Sequence, residues 1–158
     1  MGSELPPATL NALLGQWPVA RLATTNEDGS PHLVPIVFCH DGAELYSPID
    51  GKRKKGGRLQ RVRNLSSHSS FSLLLDHYDA DWRQLWWVRL DGQADSFAPS
   101  LEHARVLKEL LEAKYPQYGD VPVLGEDPLC LRLRWQRVSA WAERDIDEAI
   151  RASLSAQG

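Results

Sequence analysis

The sequence predicts a mainly β, α+β fold, a small six-stranded antiparallel barrel with flanking helices, on three observations. Short apolar runs are separated by hairpin signals, first Asn26-Glu27-Asp28-Gly29-Ser30 and then Asp41-Gly42, which supply positive φ and side-chain capping. Strict alternation at Leu129, Leu131, Leu133 and Trp135, with Arg132 and Arg134 on the other side, marks a half-exposed strand. One clear amphipathic helix, with Leu101, Ala104, Leu107, Leu110 and Leu111 in a stripe, is inserted before that last strand.

The elements follow in order. Leu10, Leu13 and Leu14 after Pro6 and Pro7 predict an opening helix over 5–14, with Gly15 as its C-cap. Residues 17–25 form the first strand and 32–40 the second. Pro35 cannot donate to a ladder, so the second strand is at an edge or bulged there. Residues 44–49 form the third, completing a meander. Residues 51–64 are basic and glycine-broken, and Leu59, Val62 and Leu65 at spacing three predict that this loop enters a short helix. Residues 71–78 read as a buried strand and 85–97 as a long one, with a bulge or bend at Asp91-Gly92. Ser100 can cap the inserted helix, and Pro116 forbids its continuation beyond Tyr115. Asp145 followed by Glu148 resembles a capping box for a last helix carrying Ile146, Ala149, Ile150 and Leu154.

Composition narrows the function classes. The 158 residues are the usual size of one domain, taken here as 1–158. A net charge of -3 argues against nucleic acid or an anionic membrane as the partner of the whole surface, so any anion site must be local. No run approaches the length of a membrane helix and no signal-like segment opens the chain, so a cytoplasmic location is the expectation. Cys39 and Cys130, far apart and without CxxC spacing, read as buried free thiols. The histidines lack metal-ligand spacing, and no GxSxG elbow or Cys/His couple is present, so no metal site and no side-chain catalyst are nominated. Asp76, Asp79 and Asp81 lack the glycine and terminal glutamate of a calcium loop and read as turn and cap residues.

Several segments carry a resemblance. Ala20-Arg21-Leu22-Ala23-Thr24-Thr25 followed by Asp28-Gly29-Ser30-Pro31-His32-Leu33-Val34-Pro35 resembles the opening of the pyridoxamine 5'-phosphate oxidase-like split barrels. Leu45-Tyr46-Ser47, the basic segment, Arg61-Val62-Arg63-Asn64-Leu65 and Ser72-Leu73-Leu74-Leu75-Asp76 are similar to that family in order and spacing. The runs 76–82 and 85–92 resemble its deazaflavin-dependent branch. The resemblance covers roughly residues 10–142. It implies a split barrel, a homodimer, and a phosphorylated isoalloxazine-type cofactor, FMN or coenzyme F-420, in a groove between subunits.

By the same resemblance, Lys52, Lys54, Arg58 and Arg61 are the candidates for the cofactor phosphate, with Asn64 as a polar contact. Guanidinium forks and loop N–H groups suit phosphate oxygens, whereas a basic run alone reads as solvated surface. Val34, Pro35, Ile36 and Val37, with Ser47 and Pro48, are expected along the ring, as is Trp87, while Trp141 is expected to close the groove from the other subunit. The function implied is an oxidoreductase passing hydride to a small conjugated or heteroaromatic substrate, its direction left open. The alternatives are a cofactor-storage protein, a haem handler using His32, His40 or His77, and a single-strand nucleic-acid module stacking bases on tryptophans.

Overall fold

The computed structural model describes residues 4–49 and 59–157. Among them the strands are β1 (Ala20–Thr25), β2 (Pro31–Ile36), β3 (Cys39–His40), β4 (Leu45–Ile49), β5 (Ser70–His77), β6 (Trp86–Phe97) and β7 (Leu129–Ala142). The helices are α1 (Pro7–Gln16), α2 (Gln60–Ser67), α3 (Leu101–Lys114) and α4 (Ile146–Ala156). One sheet runs β2-β1-β5-β6-β7-β4-β3, antiparallel throughout.

Seven strands stand where six are predicted, because the run 32–40 divides. Pro35 lacks the N–H for a second ladder, and Phe38 is fully buried, its N–H donating to the Tyr115 hydroxyl and its carbonyl accepting from it, both at 3.1 Å. The chain therefore bends at Val37-Phe38 and crosses from one edge of the sheet to the other. The expected meander is thereby corrected: β2 pairs with β1, but β4 pairs with β3 and β7. Both hairpin glycines hold positive φ, Gly29 at 83° and Gly42 at 100°, as their turns require.

The other boundaries follow from caps and burial. Gly15, expected as a C-cap, lies inside α1; the helix ends at Trp17, which packs on Trp86 with ring centroids 4.9 Å apart. Ser100 caps α3 by accepting from His103 N–H at 3.2 Å, and Asp145 caps α4 by accepting from Glu148 N–H at 3.0 Å. The buried face of α3 is Leu107 and Leu111, whereas Leu101 at the head of the predicted stripe is 93% exposed. All four apolar residues expected on α4 are buried.

The bulge expected at Asp91-Gly92 is present, with its extra residue on β7. Asp91 pairs with Arg137 and Gly92 with Trp135, leaving Gln136 without a partner in the ladder. Before the bulge the odd-numbered residues of β7 face the barrel core with Gly92 and Ala94; after it Val138 and Ala140 pair with Leu90 and Val88, and Arg137, Ser139 and Trp141 face outward. A one-residue offset thus moves Trp141 to the outer face.

The main core fills the barrel and the space under α1, α2 and α4; a second cluster under α3 contains Cys39, Tyr46, Leu107, Leu111, Tyr115 and Cys130. Both cysteines are free and buried, as expected. Beside this cluster Lys114 donates to Leu14 O at 3.0 Å and Phe38 O at 3.1 Å, its ammonium 3.4 Å from the Phe38 ring centroid. Burial nevertheless lowers its pKa from 10.5 to about 7. Between those values the unfolded chain binds the extra proton, so stability rises with pH. Burial raises Cys39 from 9.0 to about 12 and Cys130 from 9.0 to about 11, so above pH 9 the unfolded chain loses thiol protons first and stability falls. Urea unfolding is expected to show maximal stability near pH 9, about 1–3 kcal/mol above pH 7, with the rise flattened in Lys114→Met. A level profile from pH 7 to 9 in the native chain contradicts this assignment.

Candidate functional site

Among the described residues, one cavity lies at each of two opposite ends of the barrel. The first is a groove of about 410 Å³ on the outer face where β5, β6 and β7 meet. Trp87 and Trp141 are direct cross-strand partners there, and Asp76 pairs with Trp87 from the other side. Leu74 and Arg89 extend the same face, and His77, Tyr78 and Leu85 add to the lining. Beneath it Trp86 is held by its Nε1–H donating to Ser153 Oγ at 2.8 Å, while His77 stacks on it with centroids 6.2 Å apart. The aromatic wall is therefore attached to the core.

Charges on this face are tied in pairs. Arg21 bonds Asp76, and Asp91 accepts from Arg89 Nε at 3.0 Å and Arg137 at 3.3 Å, as well as from Ser72 Oγ. Burial pushes the Asp91 carboxyl up, but these three donors outweigh it and hold it below the usual carboxylate range. Beyond β5 the turn is pinned by its own carboxylates. Asp79 accepts from Asp81 N–H at 2.8 Å, and Asp81 accepts from Arg83 N–H and Nε. Asp79 and Asp81 are turn and cap residues as expected, whereas Asp76 is a strand residue in an ion pair.

The second cavity, about 530 Å³ and polar, lies between the β1–β2 turn, β2 and the start of α2, lined by Asn26, Glu27, Asp28, His32, Gln60 and Arg63. Asn64, 0% exposed, fastens this end: it donates to Thr24 Oγ1 at 3.1 Å and Asn26 Oδ1 at 2.9 Å and accepts from Gln60 at 2.8 Å. Its side chain is thus committed to joining α2 to the β1–β2 hairpin. Arg61 is half-buried on α2, and Lys52, Lys54 and Arg58 lie outside the described residues.

The remaining candidates separate by the direction of their side chains. Ile36 belongs to the core and Val34 packs against it, so each can offer an outer groove only its backbone. Pro35, exposed, faces outward opposite Arg21. Ser47 is buried with its hydroxyl donating to Val37 O at 2.8 Å, and Pro48 is buried beside it. Trp87 and Trp141 come together in the groove. Sequence reasoning did not single out Leu85 and Arg89 there, although their i±2 spacing from Trp87 on a strand is a usable signal.

The two ends lie well apart along the sheet. Asn26 lies three residues beyond Ala23, which pairs with Ser72, and Trp87 pairs with Asp76, four residues along β5 in the other direction. Seven residues of strand span about 20 Å. The seven-bond arm between ring and phosphate of a flavin extends about 9 Å as a zigzag advancing roughly 1.25 Å per bond.

The sheet whose two edges are joined by one bent run, with helices packed around it, defines the class of split-barrel proteins. The model of the pyridoxamine 5'-phosphate oxidase family matches residues 6–153, and the chain belongs to that family. No curated protein is similar enough in sequence to count as a match. Similar solved structures include a conserved hypothetical protein from Mycobacterium tuberculosis, 20% identical, with TM-score 0.71 over 89% of this chain and 87% of that one. HutZ, the haem storage protein of Vibrio cholerae, is 14% identical with TM-score 0.66 over 86% and 93%. A FAD-binding protein from Mesorhizobium loti is 19% identical with TM-score 0.61 over 86% and 94%. At these identities the likeness is one of fold. Among the described residues no helix is long and apolar enough to cross a membrane.

Proposed function

We propose that the protein is a flavin-type oxidoreductase whose cofactor, FMN or coenzyme F-420, lies between two copies of the chain. The carrying observation is the separation of about 20 Å between the α2 end and the Trp87–Trp141 wall, which favours a site assembled from two subunits over one within a chain. One copy supplies Lys52, Lys54, Arg58 and Arg61 to the phosphate and the exposed Pro35 strand to the ring. The other supplies Trp87 and Trp141. Chemistry supports the reading: a flat apolar ring suits a tryptophan wall, and its phosphate suits a basic segment.

The bound cofactor supplies hydride chemistry for a small conjugated or heteroaromatic acceptor. The chain's own residues bind, orient and shield: Trp87 and Trp141 exclude water from one side, and the Arg89, Arg137 and Asp91 cluster sets the local field. A second reading, haem handling, draws on His77 in the groove lining and on the haem storage protein among the similar folds.

Absorption and fluorescence titrations with FMN, coenzyme F-420 and haem test these readings together. A flavin or deazaflavin is expected to bind, with affinity reduced about tenfold or more in Lys54→Ala and Arg61→Ala while the fold is kept. Unchanged affinity in both variants removes the phosphate assignment, and a Soret band lost in His77→Ala establishes the haem reading instead.

A further inference from the structure

We propose that the last turn of α3 braces β2 at the ring end of the cofactor site, with Lys114 and Tyr115 as its positioning residues. The inference rests on the flavin reading of that site and adds what fixes the strand that the ring meets.

The β1–β2 ladder shows what the brace replaces. Asn26 N–H donates to Ser30 O at 2.9 Å, and the pairs that continue this rung at every second residue are Thr24 with His32, Leu22 with Val34 and Ala20 with Ile36. Pro31 and Pro35, which lack an N–H, fall in the intervening pairs, where none is needed. The next bonded pair would be Pro18 with Phe38. A normal rung cannot form there, because Pro18 has no N–H to offer Phe38 O.

The end of α3 supplies the missing rung. The Tyr115 hydroxyl accepts from Phe38 N–H at 3.1 Å and donates to Pro18 O at 2.8 Å, so one phenol oxygen bridges the two segments. That oxygen also lies 3.1 Å from Phe38 O, but its single hydrogen cannot fully serve two carbonyls. Lys114 makes up the deficit by donating to Phe38 O at 3.1 Å, and its bond to Leu14 O at 3.0 Å fastens the end of α1 to the same point. Phe38 is fully buried and Tyr115 nearly so, which makes water a poor substitute for either donor.

The place of the brace gives it a role at the site. Residues 34–37, nominated for the ring, immediately precede Phe38, and β2 is an edge of the sheet, paired on one side alone among the described residues. Its first end is fixed by the Asn26–Ser30 turn. Its last end is held by the α3 pair and by Ser47 Oγ donating to Val37 O at 2.8 Å.

The test uses the full chain. Tyr115→Phe and Lys114→Met each remove one part of the brace, and Leu107→Val, a buried change on the same helix, is the control for lost packing alone. Hydrogen exchange read by mass spectrometry is expected to quicken about tenfold across residues 32–38 in both brace variants, with residues 70–77 of β5 unchanged, and FMN or coenzyme F-420 to bind about tenfold more weakly. Leu107→Val is expected to lower the thermal midpoint yet leave cofactor affinity and β2 exchange as in the native chain. Unchanged exchange across 32–38 in both brace variants, or cofactor affinity lowered as much by Leu107→Val as by Tyr115→Phe, overturns the proposal. If the native chain binds neither cofactor, the flavin reading falls and the exchange of β2 alone decides whether the brace stands.

Discussion

Replacing Gly92 by alanine is expected to cost more than about 3 kcal/mol of folding stability, a large share of the about 5–15 kcal/mol that typically holds a domain together. A Cβ at this position would stand 2.0 Å from Arg134 O, 2.7 Å from Trp135 Cα and 2.9 Å from Arg134 C. All three are backbone atoms of the neighbouring strand, so no rotamer change relieves the contact. The neighbour cannot withdraw cheaply either, because Arg134 and Trp135 immediately precede the extra residue Gln136 in the longest ladder of the sheet. Urea unfolding of Gly92→Ala measures the loss, and a change below about 1 kcal/mol contradicts the packing described. The consequence reaches the site, since this bulge is what turns Trp141 outward.

Removing the Trp141 ring is expected to lower affinity for a flavin or deazaflavin about tenfold to a hundredfold, since stacking a flat heteroaromatic ring on an aromatic side chain contributes about 1–3 kcal/mol. Trp141 is 42% exposed, so Trp141→Ala opens no core cavity and is expected to fold normally. Trp87→Ala is expected to act in the same direction with some added cost in stability, because Trp87 is half-buried and carries Arg89 over its ring at 5.9 Å. Fluorescence titration of the two variants against the native chain reads the effect, and undiminished affinity in both removes the aromatic wall from the cofactor site.

Much of the fold was legible because its signals are local. Hairpin glycines, the Ser100 and Asp145 caps and the alternation of Leu129 to Trp135 each act within a few residues. The division of the run 32–40 was not legible, since it depends on Tyr115, 77 residues from Phe38, holding the bend at Phe38. The site behaved likewise. Trp87 and Trp141 could be nominated singly, but their pairing depends on one unpaired residue, Gln136, whose effect on every later side chain of β7 exists only once β6 and β7 are in register. Asn64 and Ser47 lie in segments that the resemblance nominates for the cofactor, yet both spend their polar atoms on the interior, which only tertiary structure reveals.

The two-subunit site is tested most directly by mixing. Arg61→Ala damages the phosphate end and Trp141→Ala the aromatic wall, so each variant alone forms only damaged sites. If each site draws one end from each subunit, a mixed pair contains one site with both lesions and one with none. Random reassociation makes about half of the dimers mixed, so about a quarter of all sites should recover native affinity for the cofactor. Recovery of that quarter on mixing, absent from either variant alone, is the predicted result; no recovery in a preparation shown to contain mixed dimers would mean that each chain builds its site by itself.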